Sequence, residues 1–392
     1  MDFQLNKEQE MLKTAVAEFC EKEIAPYEAK WDAEQYFPVE LFPRLGRLGI
    51  LGIVSSKEYC GAGMKHIDRA IVMEELGFYS PGIGMAVNSQ HLGIGAILEF
   101  GTEEQKKKYL PDLCMGKKIT CLGTTEAQSG VDVAGQKTEA KFVDGKWIIN
   151  GHKCLLTNAD FADFTIITAK TGEDKRGKAL FTAFILKRGL TGISQGRRES
   201  KLGLRTSEQG ELFLDDVEVE PDCVLGEVGK GTLVAMKQVS EIGRAGMTAV
   251  CVGITRAALE LGVNYAQQRI IYGKPISNLQ AIQIHIANSR VDYEASRLLL
   301  HRAATLKDIG KSPATPDFSI AKLYAGDAAC RASKSTIEIL GGYGIIQEYG
   351  AEKIYRDAVS AISGGGTNEI QRVIVANDTI KNLFDIRKKE DV

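Results

Sequence analysis

Few residues of this sequence stand at the spacings that catalytic or metal sites use. The 392 residues contain no GxSxG nucleophile turn, no phosphate-binding P-loop and no HExxH metal motif. The eight cysteines are scattered, without a CxxC pair or a histidine spacing typical of zinc. We therefore expect reduced thiols in a cytoplasmic protein, mostly packed in its core, and no metal site.

Glycine-rich segments are the next candidates, because a backbone without side chains can approach a ligand closely. Residues 61–63 and 364–366 lie in loops, and neither follows a strand as the fingerprint of a dinucleotide site should. Gly341 and Gly342 stand between two helical stretches. There the backbone meets either a phosphate or a neighbouring helix, and the residues alone leave both interpretations open.

Composition narrows the class of partner. The chain is 44% hydrophobic and 26% charged, which suffices for large cores in two or three domains. Its formal net charge of −2 gives no basic excess for nucleic acid or an anionic membrane. The N-terminus lacks the layout of a signal peptide, and no uninterrupted apolar run reaches the length of a membrane helix. We therefore predict no membrane span.

Helix patterns dominate both ends of the chain. In residues 1–118, Thr102 with Gln105 three positions later forms a helix-start signature, and apolar residues recur at helical spacing near the N-terminus. In residues 229–392, long stretches without proline carry apolar residues on more than one face. Such helices suggest a bundle that also buries a partner subunit.

The middle of the chain, residues 119–228, has the pattern of a β domain. Asp144-Gly145 and Asn150-Gly151 are dipeptides typical of tight turns, so two consecutive hairpins are predicted there. Further strands are predicted at residues 164–168, 180–186 and 211–219. The expected layout is a helical region, a small β domain and a second helical region.

Five motifs in matching order resemble those of the acyl-CoA dehydrogenase family, from end to end of the chain. They are GTTEAQSGVD at 123–132, KLGLRTS at 201–207, RIIYGKP at 269–275, YRD at 355–357 and GTNEIQ at 366–371. The resemblance implies a mostly α fold with a small β domain. An N-terminal helical domain (1–118) would precede a middle β-barrel- or sandwich-like domain (119–228) and a C-terminal four-helix bundle (229–392).

The same resemblance implies FAD, bound in a cleft between the β domain and the last helices. Thr125 would hydrogen-bond the flavin ring and Thr157 would reach toward flavin N5, although both residues also suit ordinary sheet positions. Arg269, otherwise a solvated arginine at a helix end, would meet the pyrophosphate of a neighbouring subunit's FAD. The other implied cofactor contacts are Tyr272, Gly341, Gly342, Thr367 and Glu369.

An acyl-CoA substrate follows from the resemblance, together with a homotetramer and an electron-transferring flavoprotein as the electron partner. Glu241 and Arg244, about one helical turn apart, would face the CoA chain. The alternative for these two residues is an ion pair within their own helix.

The chain departs from the family where the catalytic base is expected. Most members keep a glutamate directly before the Gly-Thr of the last motif, and here that residue is Gly365. A second known position for the base precedes the arginine of the first bundle helix, and here it is Gly243. Three further departures concern cofactor surroundings: Val131 replaces a hydroxyl residue, Leu155 an aromatic one and Glu338 a glutamine.

His91 is the candidate replacement for the missing base. The resemblance places it in the part of the first domain that lines the acyl pocket, and histidine titrates near neutral pH. The alternative is a packing histidine whose ring is hydrogen-bonded within the protein.

Four functions remain open at this stage. The first is a dehydrogenase for a cyclic or already unsaturated acyl-CoA, with a relocated base. The second is an enoyl-CoA reductase of the crotonobetainyl-CoA reductase type. The third is elimination without net oxidation, as in desulfinating relatives, which need an arginine that residues 79–91 lack. The fourth is a non-catalytic acyl-CoA binder.

Overall fold

The computed structural model describes residues 4–310 and 315–390 of the chain. Over these residues, helices come first, a β-sheet follows, and a second set of helices ends the chain. This is the predicted layout of a mostly α protein with a small β domain in the middle.

Six helices precede the sheet. They are α1 (Lys7–Glu23), α2 (Glu28–Glu34), α3 (Phe42–Arg47), α4 (His66–Tyr79), α5 (Pro81–Phe100) and α6 (Glu103–Cys114). The predicted start of α6 is confirmed: Gln105 N donates to Thr102 Oγ1 at 3.2 Å, and Thr102 N donates to Gln105 Oε1 at 3.1 Å. This reciprocal pair satisfies two backbone donors that the first turn of a helix leaves free.

Eight strands form one mixed sheet. They are β1 (Thr120–Gly123), β2 (Glu139–Val143), β3 (Lys146–Thr157), β4 (Phe164–Glu173), β5 (Ala179–Lys187), β6 (Ile193–Gln195), β7 (Gln209–Val219) and β8 (Val224–Leu225). Their order is β6-β7-β3-β2-β4-β5-β8, and β1 pairs with β4 in parallel. The apolar faces of β3, β4, β5 and β7 supply most of a separate core for this region.

The first predicted hairpin is confirmed and the second is wrong. Asp144-Gly145 connects β2 to β3, with Val143 paired to Lys146. At Asn150 the chain does not reverse, because β3 runs on to Thr157 with a register shift against β7. Asn150 Nδ2 donates to Asp216 Oδ1 at 2.8 Å and its Oδ1 accepts from Asp216 N at 2.8 Å. The side chain thus fixes Asn150 to the neighbouring strand, where an Asn-Gly pair marks a bulge rather than a turn.

Helices return after the sheet. They are α7 (Gly231–Gln238), a π-helical turn (Val239–Gly243), α8 (Arg244–Gln268), α9 (Gln280–Asp308), α10 (Thr315–Leu340), α11 (Ala351–Ala361) and α12 (Asn368–Glu390), with the two-residue strands β9 (Ile270–Ile271) and β10 (Lys274–Pro275) after α8. Helix α10 packs against α8, α9 and α12, which gives the four-helix bundle.

One helical segment in the described residues, Gly231–Gln268, is long and apolar enough to cross a membrane by length and composition. No membrane-spanning helix was predicted from the sequence. Of its most apolar window, 67% is buried inside the protein, which is the behaviour of a core helix.

Helix α4 lies in backbone contact with α8. A Cβ added to Gly77 would lie 2.6 Å from Val250 Cα, and one added to Gly253 would lie 2.5 Å from Gly77 C. Such distances leave no room for a methyl group on either helix. The two glycines therefore set the α4–α8 spacing. Arg69 of α4 and Asn88 of α5 reach the π-helical turn that precedes α8, where they bond to Ile242 O and Gly243 O.

Candidate active site

The two positions at which the resemblance predicts a catalytic base lie beside each other. Gly243 ends the π-helical turn, and Gly365 lies in the turn between α11 and α12. A Cβ on Gly365 would lie 3.3 Å from Gly243 O and 3.1 Å from Arg244 Cα. Arg244 Nε donates to Gly365 O at 3.3 Å, which ties the two segments together. Two stretches of chain far apart in sequence thus meet at one point, and neither brings a carboxylate to it.

The two glycines differ in whether they could carry a side chain. Gly243 has helical dihedral angles, φ −62° and ψ −50°, and an added Cβ would meet Leu92 Cδ2 at 3.4 Å, an ordinary contact. Gly365 has φ +72°, a conformation that disfavours any residue with a Cβ. The local structure therefore accepts a side chain at Gly243 and resists one at Gly365.

His91 is a packing residue in this structure, which corrects its assignment as a base. The ring is buried, Arg69 Nε donates to its Nδ1 at 3.0 Å, and Nε2 lies 2.9 Å from Ile50 O. Since Arg69 can only donate, Nδ1 accepts and Nε2–H donates to the carbonyl. Burial, with the Arg69 charge adding to it, lowers the His91 pKa to about 3. A neutral ring with both nitrogens engaged has no site at which to take a substrate proton.

Arg69 and Asn88 are buried polar residues beside this point, and the sequence analysis did not single them out. Arg69 Nη2 donates to Asn88 Oδ1 at 2.6 Å and to Ile242 O at 3.1 Å, while Asn88 Nδ2 donates to Gly243 O at 3.1 Å. Burial lowers the Arg69 pKa to about 9. The sequence does contain a signal, because Arg69 shares a helix face with Val72, Met73 and Leu76, all of which are buried. A charge on such a face requires an explanation.

The predicted substrate-binding pair does not form an ion pair within its helix. Glu241 forms its salt bridge with Lys307 at the end of α9. Arg244 is buried and donates to Gly365 O and, at 3.1 Å, to Ser319 Oγ. Burial lowers the Arg244 pKa to about 10. Contact of either residue with the CoA chain stays a prediction.

The two threonines predicted to meet the flavin lie at the same end of the sheet. Cys154 N donates to Thr125 O at 3.0 Å, which places Thr125 alongside the end of β3 where Thr157 lies. Thr157 Oγ1 accepts from Gln209 Nε2 at 3.3 Å. Leu155, in the position of the expected aromatic shield, has φ +56° and is 53% exposed.

Helix α5 connects this end of the sheet to Gly243. Ser89 Oγ donates to Thr157 O at 2.9 Å, and the preceding residue, Asn88, donates to Gly243 O. The predicted flavin contact and the two empty base positions therefore lie on two sides of one helix.

A second group of predicted cofactor residues lies on the bundle surface. A Cβ on Gly341 or Gly342 would have no atom within 4 Å, and Gly341 has φ +60°. The Arg269 guanidinium lies 5.9 Å from the centre of the Tyr343 ring, next to this glycine pair. Arg269 has no carboxylate partner among the described residues, and Tyr272 is 93% exposed. An open backbone beside a free cation suits a pyrophosphate.

Thr367 and Glu369 lie at the start of α12, near Gly365. Thr367 Oγ1 accepts from Ile370 N at 3.4 Å, as a helix cap does, and Glu369 pairs with Arg372 at 3.5 Å. Their cofactor contacts stay predictions. Together with the threonines of the sheet, the polar groups present fit FAD.

Family models match the chain in three consecutive stretches. The N-terminal domain of acyl-CoA dehydrogenases matches residues 6–117, the middle domain residues 121–217 and the C-terminal domain residues 229–380. The chain belongs to the acyl-CoA dehydrogenase family. It is therefore a flavoenzyme of the type that acts on the CH–CH bond of an acyl-CoA, with FAD as its cofactor; a solved relative has been captured with FADH2.

Relatives and solved structures match over nearly the whole chain. A probable acyl-CoA dehydrogenase of Bacillus subtilis is 37% identical over 97% of this chain and 100% of its own. An NADH-dependent acryloyl-CoA reductase of Anaerotignum propionicum is 36% identical over 97% of this chain and 96% of its own. The butyryl-CoA dehydrogenase of Megasphaera elsdenii has a similar structure, with a TM-score of 0.94 and 36% identity over 97% of this chain and 100% of that one.

Proposed function

We propose that this acyl-CoA dehydrogenase relative works as a reductase of α,β-unsaturated acyl-CoA thioesters. One observation carries the proposal: both positions for a catalytic carboxylate are glycine, and the two glycines lie next to each other. His91, the candidate substitute, has both ring nitrogens hydrogen-bonded within the protein. Oxidation of a saturated acyl-CoA needs a base for a weakly acidic Cα proton. Reduction instead leaves a basic Cα, which takes its proton from water.

The chain's own groups are suited to orienting the thioester and holding charge. Reduced FAD, when bound, would be the source of the hydride for Cβ. Two buried arginines lie close to Gly243: Arg244 follows it in the chain, and Arg69 bonds to the carbonyl of Ile242, which precedes it. The carboxylate of the π-helical turn, Glu241, is neutralised by Lys307. The site is therefore electropositive, which favours the negative charge that develops on the thioester.

The relatives that match over nearly the whole chain include an acryloyl-CoA reductase beside several acyl-CoA dehydrogenases, so a reductase is compatible with this degree of similarity. The second candidate is oxidation of a cyclic or already unsaturated acyl-CoA. The absence of a side chain at both Gly243 and Gly365 favours this candidate, because two glycines leave more room for a bulky acyl group than a glutamate would. Simple acyl-CoA binding is a weaker candidate because the groups that fit FAD are retained. Elimination is weaker because residues 79–91 lack the arginine that the desulfinating relatives need.

The test is an anaerobic experiment with the FAD-loaded enzyme in both redox states. Enzyme reduced chemically should be reoxidised by crotonyl-CoA or a cyclic enoyl-CoA, with return of the flavin absorbance. Oxidised enzyme mixed with butyryl- or octanoyl-CoA should bleach slowly. Rapid bleaching by the saturated thioesters, with no reoxidation by any enoyl-CoA, would contradict the proposed direction.

We further propose a cytoplasmic homotetramer that exchanges electrons with an electron-transferring flavoprotein. Helix α9 exposes Ile284, Val291 and Leu298, seven residues apart, and α12 exposes Val373 and Ile380 at the same interval. Apolar residues every seven positions form a seam that packs against another helix. These stripes support contact between subunits, which the predicted sharing of Arg269, Gly341 and Gly342 between neighbouring FAD sites also requires.

A further inference from the structure

A lysine with no exposed surface lies beneath the loop that joins β1 to β2, residues 124–138. Lys153 of β3 donates from Nζ to Glu126 Oε1 at 2.7 Å and to Gln136 Oε1 at 2.8 Å, and its side chain is 0% exposed. A buried ammonium is costly unless hydrogen bonds and an opposite charge compensate it. Here both acceptors belong to the 124–138 loop, one near its start and one near its end, so a single side chain of the sheet holds both ends.

The Glu126 carboxylate binds the end of the loop as well as this lysine. Its Oε1 also accepts from Thr138 N at 3.1 Å, and its Oε2 accepts from Lys137 N and Gln128 Nε2, both at 2.6 Å. Burial alone would raise the pKa of the Glu126 carboxyl, but the hydrogen bonds from Lys153 and from the loop hold this pKa at about 2. Glu126 and Lys153 are therefore both charged at neutral pH, and each compensates the charge of the other.

Gln136 attaches the second half of the loop to the sheet. Its Oε1 accepts from Thr168 Oγ1 of β4 at 2.5 Å in addition to Lys153, and its Nε2 donates to Val133 O at 2.8 Å. Without the Lys153 ammonium, Gln136 Oε1 and Glu126 Oε1 would be two acceptors facing the same buried space. The ammonium is thus the group that allows both ends of the loop to lie close together.

The middle of the loop has little packing of its own. Val131 is 61% exposed, and a Cβ added to Gly130 would meet no atom within 4 Å. The conformation of this stretch therefore depends on how the ends of the loop are held. At the start of the loop, Thr125 O accepts from the backbone N of Cys154, the residue after Lys153. The same strand thus also fixes the threonine that is predicted to meet the flavin.

We propose that Lys153 is a positioning residue for FAD, which holds the 124–138 loop in the conformation that the cofactor binds. Lys153 acts through the loop, because its buried ammonium is engaged by Glu126 and Gln136. When a ligand binds only one of several loop conformations, its apparent affinity falls with the population of that conformation. Loss of the ammonium should therefore weaken FAD binding although no group that contacts FAD is removed.

The first measurement is FAD release from the full-length enzyme. Lys153→Met keeps the approximate length of the side chain and removes its charge. The FAD-loaded enzyme is diluted and flavin fluorescence is followed. The dissociation constant of Lys153→Met for FAD should be roughly tenfold or more above that of the wild type. Lys141→Met, at a lysine of β2 that is 71% exposed, is the matched control and should leave this constant unchanged.

The second measurement is cleavage by trypsin, because Lys137 is the one lysine or arginine in residues 124–138. In the wild type, Lys137 N and Thr138 N both donate to Glu126, which protects the bond after Lys137. At limiting FAD, trypsin should cut Lys153→Met after Lys137 roughly tenfold faster than the wild type, since cleavage follows the population of the open loop. Saturating FAD should slow this cut.

Gln136→Met serves for both measurements if Lys153→Met does not fold, because it removes one acceptor and leaves the ion pair in place. It should weaken FAD binding and speed cleavage after Lys137 by smaller factors. An unchanged FAD dissociation constant in the folded variant, or weaker FAD binding without faster cleavage after Lys137, would overturn the proposed role of Lys153. A lysine that only stabilises the fold would give the first of these results together with a lower unfolding temperature.

Discussion

The two glycines at the empty base positions make opposite predictions for a restored carboxylate. Gly243→Glu adds a side chain at a residue with helical dihedral angles, where the new Cβ makes only an ordinary contact with Leu92, so we expect the variant to fold. It should accelerate flavin bleaching by butyryl-CoA roughly 10²-fold or more, the usual contribution of a positioned base. Stopped-flow absorbance measures the rate, and Gly243→Gln, which has the same size without a base, is the control.

Gly365→Glu should perform worse although it restores the commoner family position. Its φ of +72° and the 3.1 Å approach of an added Cβ to Arg244 Cα require the turn to shift. We expect lower stability and little gain in bleaching. The opposite result, with Gly365→Glu active and Gly243→Glu inactive, would contradict this expectation. It would show that the turn between α11 and α12 accommodates the new side chain and that the π-helical turn does not.

His91 should prove structural rather than catalytic. His91→Gln can accept from Arg69 and donate to Ile50 O as the ring does, so turnover per bound flavin should stay near the wild-type value. His91→Phe leaves Arg69 Nε unpaired and should lower the free energy of unfolding by about 1–3 kcal/mol. Denaturant unfolding and flavin-normalised rates separate the two effects. A large loss of turnover in His91→Gln, with FAD still bound, would return the proton-transfer role to this residue.

The pH dependence of stability gives an independent check on His91. Burial lowers its pKa from 6.5 in the unfolded chain to about 3 in the folded one. Between these values the unfolded state binds a proton that the folded state refuses, so the stabilisation is present above pH 6.5 and is lost as the pH falls toward 3. The free energy of unfolding should therefore decline more steeply over this range in the wild type than in His91→Gln.

At the scale of elements, local patterns were predictable and contacts between elements were not. The hairpin at Asp144-Gly145 and the start of α6 depend on neighbouring residues, and both were foreseen. Asn150-Gly151 was misread because its partner, Asp216, lies 66 residues away. Likewise, no residue near His91 in the sequence indicates that its Nδ1 accepts a hydrogen bond from Arg69. The motifs predicted which residues belong to the site. Whether His91 is free to accept a proton depends instead on how α4 packs, because α4 supplies the Arg69 that bonds to its ring.

That packing depends on two glycines, and a single methyl group should disturb it. Gly253→Ala would press a Cβ against Gly77 and Glu74, so overpacking should cost about 1–3 kcal/mol of stability. Because the shift moves α4, it should also weaken binding of acyl-CoA. Thermal unfolding and calorimetry measure the two effects. Gly172→Ala in β4, where an added Cβ meets no atom within 4 Å, is the matched control.

At the scale of the whole molecule, the exposed apolar stripes on α9 and α12 predict contact between subunits, as the proposed tetramer requires. Val291→Glu places a charge in the centre of the α9 stripe, where Val291 is 63% exposed in the single chain. It should lower the sedimentation coefficient and, because neighbouring subunits share the FAD sites in this account, also reduce flavin content. Met11→Glu, at an equally exposed position of α1, should change neither. A wild-type monomer with full flavin content would contradict this assembly.

The central claim is that this chain supplies no base for the Cα proton, and isotope exchange tests it without hydride transfer. A 3-thia-acyl-CoA has an acidic Cα–H but sulfur at position 3, so it has no hydride to lose. The FAD-loaded enzyme is incubated with this thioester in D2O, and deuterium at Cα is followed by NMR. The account predicts exchange in the wild type no faster than in buffer, and rapid exchange in Gly243→Glu. Fast exchange catalysed by the wild type would show that a base is present in the site and would contradict the claim.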